Sequence, residues 1–409
     1  MSAFDGFLIP RDVAALFDAP AIAQAMFDFE AALARAQAAE GLIPAAAAQA
    51  IAGVCKAELH DLDALVAASA RAGSLAIPLV AELKKTVALF DAPAAACVHF
   101  GSTSQDAIDT ALALATRRAL ALIDAELAQL CESLLALAEA HAATPVLART
   151  LMQPAAVTSF GLKCANWLAP LLRARLRLRE AAARGLALQL GGAIGTLSAM
   201  DGRGPAVARR MADALGLALP PAPWHTQRDD WVRLGLEAAV LTGSLGKIAT
   251  DLALMAQGEV AELAEPAAPG RGGSTAMPHK RNPVAALTAL AAAQRAPQRA
   301  AALLAAMPQQ HERGLGNWQA ELAEWPGLFT GACAAARALA EAFAGLEVDD
   351  ARMRRNVVEV GGPAFADALQ PDEAAAPAAA LARERLPGLR ATLAAMPAAP
   401  WSAADPVAD

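Results

Sequence analysis

Residues 104–142 read SQDAIDTALALATRRALALIDAELAQLCESLLALAEAHA, an apolar periodic run without proline or glycine. Ala and Leu, the strongest helix formers, dominate it. Ser104 suits a helix cap and Asp106 the first turn, where an acidic side chain complements the helix dipole. A helix of this length far exceeds the globular mean, and without a break it implies a bundle. Outward from it, Pro20 to Glu40 reads as a helix stopped by Gly41, and shorter helices follow to about Phe90. Further long helices are expected from the polar node Thr144–Pro154 to about Arg184, from Arg228 to about Glu262, from the Asn282-Pro283 cap to about Ala306, and from about Trp318 to Gly345. The fold class is all-α. Its parts are an N-terminal helical domain over 1–100, a central long-helix bundle over 101–346, and a shortened, Pro- and Ala-rich, less regular C-terminal segment over 347–409.

The chain has 409 residues, 56% hydrophobic and 18% charged, so it buries a large core and is not disordered. With no Tyr and only 4% aromatics, small Ala-rich helices can approach closely. Little charge on so long a chain points to surfaces covered by other copies of itself. The net charge of −7, without a basic stripe, argues against nucleic acid as a partner. No run of about 18 uncharged apolar residues marks a membrane span, and the N-terminus lacks a charged-then-apolar signal. Cys55, Cys97, Cys131, Cys164 and Cys333 are scattered without C-x-x-C spacing, as expected of free thiols in a reducing cytoplasm.

Polar nodes punctuate the helices, and in a bundle nodes distant in sequence can meet at a helix end. Ser102, Thr103 and Ser104 offer hydroxyls beside the unpaired N–H groups of a helix start, either an anion site or simply a cap. Arg149 can clamp a carboxylate through two parallel hydrogen bonds, with Thr150 and Gln153 assisting. His225, followed by Thr226 and Gln227, can titrate near neutrality, although a lone histidine is more often structural. Gly270 to Pro283 is a long Gly-rich loop in a helical protein, a feature that tends to be functional. It carries Ser274, Met277, Lys280 and Asn282. Arg313, in His311-Glu312-Arg313, is a further anion clamp or part of a solvated helix face.

Gly273-Ser274-Thr275-Ala276-Met277-Pro278-His279-Lys280-Arg281-Asn282-Pro283 closely resembles the fumarase/aspartase superfamily signature, G-S-S-x-M-P-x-K-x-N-P. Thr103-Ser104-Gln105-Asp106 and Arg149-Thr150-Leu151-Met152-Gln153 resemble two other regions of that family, in family order. Within the superfamily, His99 to Asp106, Gly191 to Leu197, Pro223 to Arg228 and His311 to Gly316 look like the 3-carboxy-cis,cis-muconate cycloisomerases. The resemblance implies a three-domain helical fold whose five-helix bundles build a twenty-helix homotetramer core, with each active site drawn from three subunits. It implies no metal and no organic cofactor. The implied substrate is a small tricarboxylate that cyclises to a lactone. Ser274 would transfer the proton, with Lys280 and Asn282 holding the dianion. His99, Ser102, Thr103, Ser104, Arg149, Thr150, Gln153, Thr226, Gln227, Met277 and Arg313 would bind substrate.

One departure is informative. Fumarase-like and adenylosuccinate-lyase-like members carry a His directly after the Arg-Thr pair, and here that position is Leu151. An amine or hydroxide leaving group needs a general acid. A carboxylate, whose conjugate acid has a pKa of roughly 4, leaves without one. The loss therefore suits a lactonising enzyme better than another superfamily lyase such as adenylosuccinate lyase, and the intact Ser274, Lys280 and Asn282 argue against the other alternative, an inactive structural homologue.

Overall fold

The computed structural model describes residues 4–273, 276–277, 280–361 and 370–397. Its elements are α1 (Arg11–Ala14), α2 (Ala19–Ala39), α3 (Ala45–Val54), α4 (Leu62–Ala72), α5 (Ala76–Ala88), α6 (Ser104–Ala140), β1 (Pro145–Thr150), β2 (Gln153–Ser159), α7 (Phe160–Gly185), α8 (Gly204–Leu215), α9 (Asp229–Ala256), β3 (Leu263–Ala264), α10 (Val284–Ala306), α11 (Asn317–Ala344), β4 (Glu347–Val348), α12 (Asp350–Asn356) and α13 (Pro371–Ala394).

Five long helices form the bundle: α6 packs on α7 and α11, α7 on α9, α9 on α10 and α11, and α10 on α11. The buried seam of α6 recurs at helical spacing, with Leu120, Ile123, Leu127, Leu130 and Leu134 all 1% exposed or less. At 37 residues α6 is about 55 Å long. The bundle helices alternate in direction. The Thr103 end of α6 meets the segment after α7, the start of α9 and the start of α11. At the opposite end lie the hairpin β1–β2, the segment after α9, the start of α10 and the end of α11. Asp229–Ala256 is the one described helix long and apolar enough to cross a membrane. Half of its most apolar stretch is buried inside the structure, and the helix packs on α7, α10 and α11.

Several local expectations are corrected. Thr103, not Ser104, caps α6, and its N–H donates to Asp106 Oδ2 at 3.0 Å. The polar node before α7 is an antiparallel hairpin, and the helix begins only at Phe160. The third long helix ends at Ala256, short of Glu262. The start of α10 is capped by Glu265, whose two carboxylate oxygens accept from Ala285 N and Ala286 N at 2.9 Å each, rather than by Asn282. The C-terminal segment is more regular than expected: α13 is a 24-residue helix despite Pro377 and Pro387, and it packs on α7, α6 and β2.

Gly161 is required where α7 leaves the hairpin. A Cβ there would lie 2.4 Å from Ala138 O and 2.5 Å from Ala142 Cα, so only glycine lets this turn seat against the end of α6.

Candidate active site

At the Thr103 end, the carboxylate of Asp106 is fully buried and organises the loops around it. It accepts from Gly191 N and Gly192 N at 3.0 and 2.9 Å, and from His225 Nε2 at 2.7 Å. His225 is therefore a buried structural partner of Asp106. It fixes the loop on which the half-buried Thr226 and the exposed Gln227 sit. One turn deeper, Arg228 is buried between Asp109, at 2.8 and 3.2 Å, and Glu321, and its guanidinium stacks 4.4 Å from the Trp224 ring. Burial disfavours that charge, but the two carboxylates outweigh it and hold Arg228 above the ordinary arginine range.

Above this base lie five of the expected residues. Arg313 donates to Thr103 Oγ1 at 2.7 Å and to Ser104 Oγ at 3.4 Å. Ser102 Oγ lies 3.0 Å from His99 Nδ1, and that nitrogen donates to Glu30 Oε1 at 2.5 Å. His99 has φ +62°, a left-handed conformation uncommon for histidine. Burial pushes its pKa down, yet the adjacent Glu30 carboxylate outweighs burial and holds it above the usual histidine range.

At the hairpin end, Arg149 donates to Glu262 Oε1 and Leu147 O, each at 3.3 Å. Glu262 is fully buried, and its Oε1 also accepts from Asn356 Nδ2 of α12 at 2.8 Å. Thr150 and Gln153 face each other in register across the two-residue turn Leu151-Met152. Both turn residues have positive φ, +50° and +66°, and both are exposed, Leu151 by 97%. A turn of this kind favours Asn-Gly, so two bulky apolar residues there are strained. Beside the hairpin, Arg149, Lys163, Trp167, Lys247 and Asp251 line a cleft of about 590 Å³. Burial sets Lys163 below the ordinary lysine range, although Asp251 opposes this.

The Gly-rich loop rises from the same end. Ser274 lies outside the described residues. The loop is tied at its base: Asn282 N donates to Gly272 O at 2.8 Å, Asn282 Nδ2 to Gly273 O at 3.3 Å, and Arg281 to Glu265 O at 2.5 Å and Glu347 at 2.8 Å. Exposed Lys280 and half-buried Asn282 border a second cleft of about 910 Å³, and Met277 is 42% exposed. Among the described residues no group of three His, Cys, Asp or Glu side chains could hold a metal.

The expected residues thus form two sets within one chain. His99, Ser102, Thr103, Ser104, Thr226, Gln227 and Arg313 belong to one end, and Arg149, Thr150, Gln153, Met277, Lys280 and Asn282 to the other. Glu30 and Glu262, which orient His99 and Arg149, were not singled out in the sequence. The available signal for Glu30 was a carboxylate on the apolar face of a helix, three residues after Phe27 and three before Leu33.

A family model described as "Lyase" matches residues 14–296. The chain belongs to this lyase family. Within it, a 3-carboxy-cis,cis-muconate cycloisomerase of Bradyrhizobium diazoefficiens is 51% identical over 85% of this chain and 77% of that protein. A nitrosuccinate lyase of Streptomyces davaonensis is 43% identical over 85% of this chain and 75% of that protein. The crystal structure of the 3-carboxy-cis,cis-muconate lactonizing enzyme of Pseudomonas putida superposes with a TM-score of 0.83 at 43% identity, covering 97% of this chain and 91% of that one. These similarities place the all-α lyase bundle, with its signature loop between α9 and α10, in the fumarase/aspartase group.

Proposed function

We propose that this lyase-family protein is a 3-carboxy-cis,cis-muconate cycloisomerase that closes its substrate to 4-carboxymuconolactone. The observation that carries this reading is the 51% identity to a cycloisomerase of that name, and Leu151 at the hairpin tip agrees with it. In the lactonising direction, one carboxylate oxygen bonds to a carbon of the conjugated diene. The π electrons move toward the neighbouring carboxylate as an aci-carboxylate, and Ser274 delivers a proton to the resulting carbanion. Lys280, Asn282 and loop N–H groups stabilise the dianion, as preorganised donors do at developing charge. Arg149, Arg313, His99 and the hydroxyls of Ser102, Thr103 and Ser104 take the carboxylates. Thr150, Gln153, Thr226, Gln227 and Met277 orient the chain of carbons.

The described members of this set lie at opposite ends of a helix about 55 Å long, so one bundle cannot close around a small substrate. A homotetramer in which the ends of neighbouring bundles meet brings them together, and we take the sites to be shared between subunits. We divide the chain at about residues 100 and 346, with α12 and α13 as a short cap. Free Cys55, Cys97, Cys131, Cys164 and Cys333 agree with a cytoplasmic enzyme.

The test is the ultraviolet absorbance of 3-carboxy-cis,cis-muconate with purified protein. Lactonisation shortens the diene, so absorbance falls, and the fall is lost in Ser274→Ala. A Ser274→Ala protein with near-normal turnover would remove the assignment of that residue. A second reading follows from the 43% identity to a nitrosuccinate lyase. Nitrite, like a carboxylate, leaves as a stable anion, so Leu151 suits that elimination equally. Release of nitrite from nitrosuccinate, with no change in carboxymuconate, would select it.

A further inference from the structure

We propose that Glu30 is a positioning residue that holds His99 as an imidazolium, and that this cation receives one carboxylate of the substrate at the Thr103 end of the bundle. The inference rests on the reading of the substrate as a polycarboxylate and adds the group that fixes one of its receptors.

Glu30 is 1% exposed and sits on the inner face of α2 between Phe27 and Leu33. A buried carboxylate there is costly unless a cation partners it. Its Oε1 meets His99 Nδ1 at 2.5 Å, and its Oε2 has no hydrogen-bond partner among the described residues. His99 is thus the counter-ion that the apolar site requires. Glu30 from α2 and Ser102 from its own loop contact the ring, while Asp106 at the start of α6 and Lys84 of α5 act on it through their charges alone. Among these, Glu30 and Asp106 favour the charged ring, and burial and Lys84 oppose it; the carboxylates prevail.

The backbone agrees with a positioned ring rather than an incidental contact. His99 is kept at φ +62°, and the next turn is pinned by Gln37 Nε2, which donates to Phe100 O at 2.6 Å. Strain of this kind persists where surrounding structure over-determines it, and such outliers gather at functional sites. While Glu30 is closed off, the His99 side chain is 15% exposed, and its Nε2 has no partner among the described residues. The ring therefore has one nitrogen committed to the buried acid and the other available. Beside it, Arg313, Thr103 and Ser104 supply further donors suited to an anion.

The experiment is a histidine Cε1 NMR titration of the whole protein, with the His99 resonance identified by its absence in His99→Asn, alongside KM and kcat against pH. In the wild type His99 should titrate above 6.5, its ordinary value. In Glu30→Gln it should titrate at or below that value. KM at pH 7.5 should then rise roughly tenfold or more, the size of a lost charge-assisted hydrogen bond, with kcat nearly unchanged. The KM gap should close as the pH is lowered, and Glu30→Asp should recover part of it. Tricarballylate, an inert tricarboxylate, should shift the His99 signal in the wild type.

A His99 that titrates at 6.5 or below in the wild type overturns the proposal, even if Glu30→Gln fails to fold. So does a Glu30→Gln protein that melts earlier yet keeps a wild-type KM at every pH, which would make the pair purely structural. If carboxymuconate is not turned over but His99 titrates high and responds to tricarballylate, the reaction assignment falls and the anion receptor stands.

Discussion

The Arg313 guanidinium donates to the Thr103 hydroxyl at 2.7 Å, joining residues 210 apart in sequence. The contact places the segment between α10 and α11 directly over the cap of α6. With Thr103 and Ser104 hydroxyls at its two terminal nitrogens, the planar fork still has a second N–H on each to offer a carboxylate. Arg313→Lys keeps the charge and loses the fork. Its kcat/KM is expected to fall about 10- to 100-fold, the size of a lost charge-assisted bond, with the melting temperature nearly unchanged. Steady-state kinetics beside a thermal melt checks this.

The separation of Arg313 from the Gly-rich loop gives a second prediction. Ser274→Ala and Arg313→Ala should each be nearly inactive alone. Mixed, dissociated and reassembled, they should recover activity, because some sites then draw an intact loop from one chain and an intact Arg313 from another. No recovery from mixed oligomers of confirmed composition would argue for sites contained within one subunit.

The turn at Leu151 and Met152 predicts a trade between stability and activity. Placing Asn at 151 and Gly at 152 relieves two left-handed non-glycine residues, each strained by about 1 kcal/mol or more. The double variant should melt several degrees higher when the oligomer is first dissociated. It should also lose turnover, since the apolar tip between Thr150 and Gln153 is replaced by a polar one. Melting of the monomer and kcat of the oligomer are the two readouts.

Arg228 carries a fourth consequence. Both of its carboxylate partners, Asp109 and Glu321, are fully buried. Arg228→Met would strand these charges at a cost of about 3–5 kcal/mol. Chemical denaturation should show this loss, and activity should disappear with the α6–α9–α11 packing rather than through KM alone.

The His99–Glu30 pair also sets a pH dependence of stability. The folded-state pKa of His99 is raised above 6.5. Its contribution is therefore fully present below pH 6.5 and fades as the pH rises through the raised value, because the folded state then gives up a proton that it held more tightly than the unfolded chain. Denaturation midpoints of wild type and Glu30→Gln should differ most at low pH and converge above that range. A difference constant across pH would contradict the linkage.

The long helices were legible because their signals are local. Residues 104–142 carry helix formers and no breaker, and α6 runs from Ser104 to Ala140. The Gly-rich loop was legible from composition, and α10 starts directly after Pro283, as the Asn-Pro pair indicated. The hairpin was not legible. Its strands are short, and the Leu-Met turn lacks the Asn-Gly chemistry that marks such turns. The cap of α10 was misplaced because Glu265 reaches the helix start from 20 residues away, and a tertiary cap leaves no trace at the local position. The order of α13 was underestimated because Pro377 and Pro387 read as breakers, whereas packing on α7 keeps the helix.

Sequence by itself determined the all-α bundle, the Gly-rich loop and the residue types set at the polar nodes, since propensity, periodicity and motif spacing act over a few turns of chain. The tertiary structure decided which of those residues share an end of the bundle, that His225 serves Asp106, and that Glu30 and Glu262 stand behind His99 and Arg149. Those pairings join residues 69 to 119 positions apart. Such contacts depend on helix direction and packing rather than on any local pattern, so they appear only once the chain is folded.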